Sequence, residues 1–131
     1  MNDCIFCKII NGDIPCMKVY EDDVALAYLD ISPDSDGHTL IVPKTHYKDI
    51  YDIPNNILLH IYETSKKVMN LLEEKLHCND FTLVQNNGDI QEVKHYHLHV
   101  KPYYNDKKSI EITKLENNIS DVKEIYTKIK D

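Results

Sequence analysis

The run His95-Tyr96-His97-Leu98-His99-Val100 (HYHLHV) sets three imidazoles at two-residue spacing, which in an extended strand sends all three rings to one face of a sheet. Apolar Leu98 and Val100 fall on the other face and mark the segment as partly buried strand. A lone histidine in such a place is accounted for as a core ring bonded to a carbonyl. Three are not, because every buried ring needs its own partner and a core gains nothing by repeating that cost. Three neutral imidazoles on one face can instead carry charge, bind metal or attack phosphorus.

The same alternation extends outward. Residues 81–85 (FTLVQ) read as a strand, residues 86–89 (NNGD) as a turn, and residues 96–102 as the histidine strand. Residues 38–43 (HTLIVP) form a dense apolar strand that ends at a proline, before a loop bearing Lys44, Thr45 and His46. Residues 17–21 and 24–29 suit a hairpin about Asp22-Asp23. Pro54 stands near the start of a long helix, whose stripe is Ile57, Leu58, Ile61, Tyr62, Val68, Met69, Leu72 and Leu76. Ile5, Phe6, Ile9 and Ile10 recur at helical spacing, and Asn11-Gly12-Asp13 closes that short helix. Ser120 is the expected N-cap, over Asp121, of a C-terminal helix carrying Val122, Ile125, Tyr126 and Ile129 on one side. Residues 105–108 are the expected flexible loop. The sum is an α+β chain with a mostly antiparallel five-stranded sheet, one long helix, a short N-terminal helix and a C-terminal helix.

A length of 131 residues suits one domain over 1–131 with a core large enough to need no staples. Fifteen basic residues, all lysine, against twenty-two acids give a net charge of -7, which argues against nucleic acid or an anionic membrane as the main partner. With no arginine, a phosphate has to be held by imidazoles, lysines, hydroxyls or backbone N–H groups. No stretch approaches the ~20 apolar residues of a membrane span. Cys4, Cys7, Cys16 and Cys78 follow no apolar signal segment, so a reducing cytoplasm is the expected location. Cys4 and Cys7 make a CxxC pair, which by itself reads either as two unpaired buried thiols or as half of a metal site.

HYHLHV, together with CIFCKIINGDIP, YLDISP and GHTLIVPKTH in the same order, resembles the histidine-triad (HIT) family of nucleotide hydrolases and transferases. Small bacterial members similar to the Hint group are the nearest branch. The resemblance covers positions 4 to about 102. It implies a homodimer whose two sheets join into one, with a site on each protomer for a purine nucleotide or its conjugate. Carried onto this chain, it implies that His97 attacks the α-phosphorus to form a nucleotidyl-imidazole that water hydrolyses. His99 and His38 match the family's other active-site histidines. Asp30 matches the acid that binds the ribose hydroxyls, although capping of the turn before Pro33 explains it equally well. Asn86 and Gln91 match positions of the nucleotide loop. Ile5, Phe6, Ile9, Ile14, Tyr28 and Ile31 match positions that line the base pocket, and without the resemblance all six read as core. Bacterial members with this CxxC bind a structural zinc ion through both cysteines, the PKxH histidine and the first triad histidine, which here are Cys4, Cys7, His46 and His95.

The chain departs from the family in NNGDIQEVKH. Its loop is short, and Glu92 occupies the position of a family hydroxyl, where a carboxylate would repel phosphate unless protonated, turned away or paired with Lys94. Three readings follow. The first is a hydrolase or nucleotidyl transferase acting on phosphoramidates, adenylates or dinucleoside polyphosphates. The second is a nucleotide-binding regulatory module with little turnover. The third is a catalytic metal site made of His95, His97 and His99, which lacks nearby carboxylate ligands.

Overall fold

A computed structural model of the chain describes residues 3–106, 109–111, 113–115 and 118–130. The elements are α1 (Ile5–Ile10), β1 (Lys18–Glu21), β2 (Ala25–Leu29), β3 (Thr39–Pro43), α2 (Asn55–Leu76), β4 (Asp80–Val84), a short 3-10 turn (Gly88–Ile90), β5 (Leu98–Tyr103) and α3 (Val122–Ile129). The strands form one sheet in the order β1-β2-β3-β5-β4, and every neighbouring pair is antiparallel.

Alternation along the strands sorts side chains into two clusters. Ala25 and Ala27 of β2, Ile41 of β3, and Leu98 and Val100 of β5 pack with Ile61, Val68 and Leu72 of α2. Leu26, Tyr28, Leu40 and Val42 pack on the opposite side with Phe6 of α1. Leu40 lies directly across from His99, so His99 faces the α1 side. The candidate site residues therefore lie on the face covered by the shorter helix.

The expected stripe of α2 is narrower in the fold. Ile61, Val68 and Leu72 are buried, Thr64 and Ser65 join them, and Tyr62 and Leu76 are exposed. The two hydroxyls are accommodated because they donate to the carbonyls of His60 and Tyr62. Pro54 is the N-cap, and His77 ends the helix in the left-handed region at φ 58°.

Several expected boundaries move by one or two residues. His38 and Gln85 lie just outside their strands, and the histidine strand begins at Leu98 rather than Tyr96. The reason is a competing hydrogen bond: Tyr96 N–H donates to the Tyr47 carbonyl at 2.6 Å, tying this segment to the loop after β3 instead of to a sheet neighbour. Ser120 does not cap α3. The helix starts after Asp121, without a side-chain cap, and its apolar side is exposed, Val122 to 76% and Ile129 to 74%. Of the expected loop at 105–108, residues 107 and 108 lie outside the described residues.

Gly37 sits where the turn before β3 meets the end of α2. Its φ is +91°, and an added Cβ would come within 2.8 Å of Leu76 Cδ1 and 3.3 Å of Pro102 Cγ. Gly37→Ala is expected to destabilise the chain by about 1–3 kcal/mol through backbone strain and crowding together. A urea midpoint equal to that of the parent would contradict this.

Candidate active site

The three rings of the motif lie on one side of the chain but serve separate neighbourhoods. His95 is fully buried, and its Nε2–H donates to the Pro43 carbonyl at 2.9 Å. That bond leaves the lone pair on Nδ1, which lies 3.5 Å from Cys4 Sγ and 3.6 Å from Cys7 Sγ. His46 Nδ1 stands 3.4 Å from Cys7 Sγ, and the ligand atoms of these four residues all lie within 4.8 Å of one another. Burial and the adjacent Cys4 thiol push the Cys7 thiol up to about 11, so a bound cation is what would hold both sulfurs as thiolates. Two sulfurs and two imidazole nitrogens, with the tautomer of His95 already set, fit zinc.

His97 lies between the rings of Phe6 and His99, with centroids 5.0 Å and 4.9 Å away. Its Nδ1–H donates to the His95 carbonyl at 2.8 Å, so Nε2 carries the free lone pair. Burial lowers the affinity of this ring for a proton, and the carbonyl bond, Asp30 and Glu92 oppose that.

His99 and His38 form a second unit. The backbone N–H of Asp34 donates to His38 Nδ1 at 3.1 Å, which puts the His38 proton on Nε2. That proton is given to His99 Nδ1 at 2.9 Å, so the His99 proton resides on its own Nε2. Asp30 Oδ2 lies 3.6 Å from His38 Nε2, and Asp30 Oδ1 accepts the N–H of Ser32 at 2.8 Å. Turn capping and a place beside the histidines thus both hold for Asp30.

Asp30, His38 and His99 also lie close enough together to hold an ion. The proton count opposes it: a metal on His38 Nε2 would drive that proton onto Nδ1, where it would meet the Asp34 N–H head-on. The expected catalytic trio of His95, His97 and His99 is not assembled either, because His95 turns to the cysteines and His99 to His38. The carboxylate missing from that reading is Asp30, and it sits with the wrong pair.

Burial holds His99 at about 4, with His97, His38 and Lys101 adding to the effect, against an ordinary 6.5. Between those values the unfolded chain binds a proton at this position and the folded chain does not. Stability is therefore expected to fall as pH drops through that window. His99→Gln should flatten the loss by about 1–2 kcal/mol after allowance for partial exposure. Urea midpoints near pH 7 and pH 5 measure it, and an unchanged slope in the variant would contradict it.

The expected base-pocket residues divide. Phe6 and Tyr28 are buried, edge to face with centroids 6.1 Å apart, with Ile9 packed beside them. Ile14 is half-buried, whereas Ile5 and Ile31 are exposed, Ile31 to 91%. Gln91 is 2% exposed, and its Nε2 donates to the Lys48 carbonyl at 2.6 Å, so it braces the loop after β3. Asn86 is half-buried, and its carbonyl accepts the Gln85 amide. Glu92 is exposed in a cleft with Cys4, Ile5 and His46. Lys94 does not neutralise it, since its Nζ donates to the Gly88 carbonyl at 2.6 Å.

The HIT domain profile matches residues 11–106. The chain belongs to the HIT family. An uncharacterised HIT-like protein of Methanocaldococcus jannaschii is 42% identical over 130 residues, which cover 97% of this chain and 98% of that protein. The adenosine 5'-monophosphoramidase of Schizosaccharomyces pombe is 40% identical over 106 residues, covering 79% of this chain and 77% of the yeast protein. Among solved structures, a zinc-bound histidine triad family protein from Mycobacterium smegmatis superposes with a TM-score of 0.78 at 38% identity, over 82% of this chain and 81% of that one. Within this HIT domain, no motif of the sequence marks Asp34 or Lys101. Lys101 Nζ in fact pairs with Asp34 Oδ2 at 2.8 Å. The available signal was the two-residue period itself, which runs on from His97 and His99 to Lys101.

Proposed function

We propose that the chain hydrolyses purine nucleotide conjugates at the α-phosphorus through a nucleotidyl intermediate on His97. The observation that carries this is the placement of protons. His97 is locked with its lone pair on Nε2, and the neighbouring ring, His99, carries an N–H on Nε2. In the first step the His97 lone pair forms the P–N bond while the bond to the leaving group breaks. The departing atom takes a proton from solvent as that bond breaks, so that it leaves neutral, and the lone pair released on it accepts from the His99 N–H. Water then adds to phosphorus and gives up a proton to solvent, the P–N bond breaks, and the electron pair returns to Nε2. Asp30 binds the ribose, and Phe6 and Tyr28 support the base. A relative named as an adenosine 5'-monophosphoramidase favours adenosine phosphoramidates among the possible substrates.

Zinc at Cys4, Cys7, His46 and His95 completes the reading in a structural role, since two thiolates and two imidazoles leave no open position. None of the four cysteines is joined in a disulfide, which suits a reducing cytoplasm. The exposed apolar side of α3 supports the homodimer that the family resemblance implies.

Rapid mixing with adenosine phosphoramidate and quenching in alkali, followed by intact-protein mass spectrometry, tests the chemistry. An adenylyl adduct is expected on the parent and not on His97→Ala. If the parent binds AMP yet forms no adduct and releases no product, the chain is a nucleotide-binding module instead.

A further inference from the structure

The Lys101–Asp34 ion pair lies beside the paired imidazoles, and Asp34 also carries the backbone N–H that meets them. Strand alternation places Lys101 on the same face as His99, and its side chain is 17% exposed while it holds Asp34 at 2.8 Å. Other anchors of the 33–37 turn act further along it: Tyr104 Oη donates to the Asp36 carbonyl and Thr39 Oγ1 to the Gly37 carbonyl. At Asp34 the side-chain anchor is Lys101. The backbone N–H of that same residue donates to His38 Nδ1.

The consequence runs through two rings. With the Asp34 N–H in place, His38 Nδ1 must accept, His38 Nε2 must donate, and His99 is left with its proton on Nε2. If Asp34 turns away, His38 is free to carry its proton on Nδ1. Its Nε2 then accepts from His99 Nδ1, and His99 Nε2 becomes a bare lone pair. A ring that offered a hydrogen bond to a departing atom would then repel it. We propose that Lys101 is a positioning residue whose pairing with Asp34 fixes the tautomers of His38 and His99 and so supports leaving-group departure. The kinetic part rests on the hydrolase reading above, whereas the tautomers can be observed without turnover.

The test uses the full chain and its Lys101→Met variant, which keeps an apolar stem but removes the charge. Two-bond proton–nitrogen correlation spectra read the tautomers directly. In the parent, His38 and His99 are expected as Nε2–H forms. In Lys101→Met both are expected to shift toward Nδ1–H, and Lys101→Arg should restore the parent spectrum. With adenosine phosphoramidate, kcat should fall about tenfold at constant KM, a small part of the ~10²–10⁴ that proton-transfer groups supply. With an AMP nitrophenyl ester, whose leaving group needs little help, the fall should be under about twofold. Unchanged His38 and His99 signals in Lys101→Met overturn the proposal, as do equal losses on both substrates. Asp34→Ala, which removes the other half of the pair but keeps the backbone N–H, must reproduce the spectral shift if Lys101→Met folds poorly. If the parent proves inactive, the hydrolase reading fails and the spectra alone decide the tautomer claim.

Discussion

Alanine at position 97 is expected to lower hydrolysis of adenosine phosphoramidate by about 10⁴-fold or more while AMP affinity stays within about fivefold. The asymmetry follows from what the ring touches. Its Nδ1 is committed to the His95 carbonyl, so the whole chemical contribution comes from Nε2, and no second nucleophile takes that place. His99 cannot replace it, because its Nδ1 accepts from His38 and its Nε2 bears a proton. Binding, by contrast, depends in the proposed reading on Asp30, Phe6 and Tyr28, which the substitution leaves intact. His97 is also 5% exposed, and removing the ring opens a space against Phe6 that should cost about 1–3 kcal/mol of stability. Steady-state kinetics, AMP titration and a urea melt on the same preparation separate these effects. Turnover above about one hundredth of the parent rate would rule out the covalent route.

Losing the proposed zinc ion should produce the second large effect. Cys7→Ser, or prolonged chelation, is expected to lower the thermal midpoint by more than about 10 °C. Structural zinc in finger peptides contributes ~10–16 kcal/mol. This sheet has its own core, so only a fraction of that stabilisation is at stake, and a few kcal/mol is enough for such a shift in a chain of this size. The damage should be concentrated in α1, whose six residues are too few to hold helical form alone. That helix carries Phe6, which contacts both His95 and His97, so turnover should drop along with stability although the nucleophile is untouched. Metal analysis and melts before and after zinc add-back measure this. Protein purified without chelators that holds no zinc, or a Cys7→Ser midpoint within about 2 °C of the parent, would refute it.

Features written at short range were legible in the chain. The alternation of Leu98 and Val100 against the histidines gives the two faces of β5, and the period of Ile61, Val68 and Leu72 gives the buried side of α2. Features decided by distant partners were not. The strand start at Leu98 depends on the Tyr47 carbonyl, and nothing local to residue 96 announces that bond. Gln91 matches a nucleotide-loop position, and the bond from its amide nitrogen to the Lys48 carbonyl, 43 residues away, is announced by nothing near it in sequence. Lys101 carries no local mark of its pairing, because its partner Asp34 is brought to it only by the turn before β3. Even the tautomers that organise the site are set by the carbonyls of Pro43 and His95 and the N–H of Asp34, groups every residue possesses and no motif encodes.

His95 turns its ring toward the cysteines and gives only its main-chain oxygen to His97. These are separable assets. Any amino acid placed at position 95 would still present that oxygen, so mutation there can erase the proposed metal affinity while the hydrogen bond that orients the proposed nucleophile is kept. Descendants of such a chain are free to abandon the ion, provided hydrophobic packing takes over the task of securing the N-terminal helix, without having to reinvent the reaction.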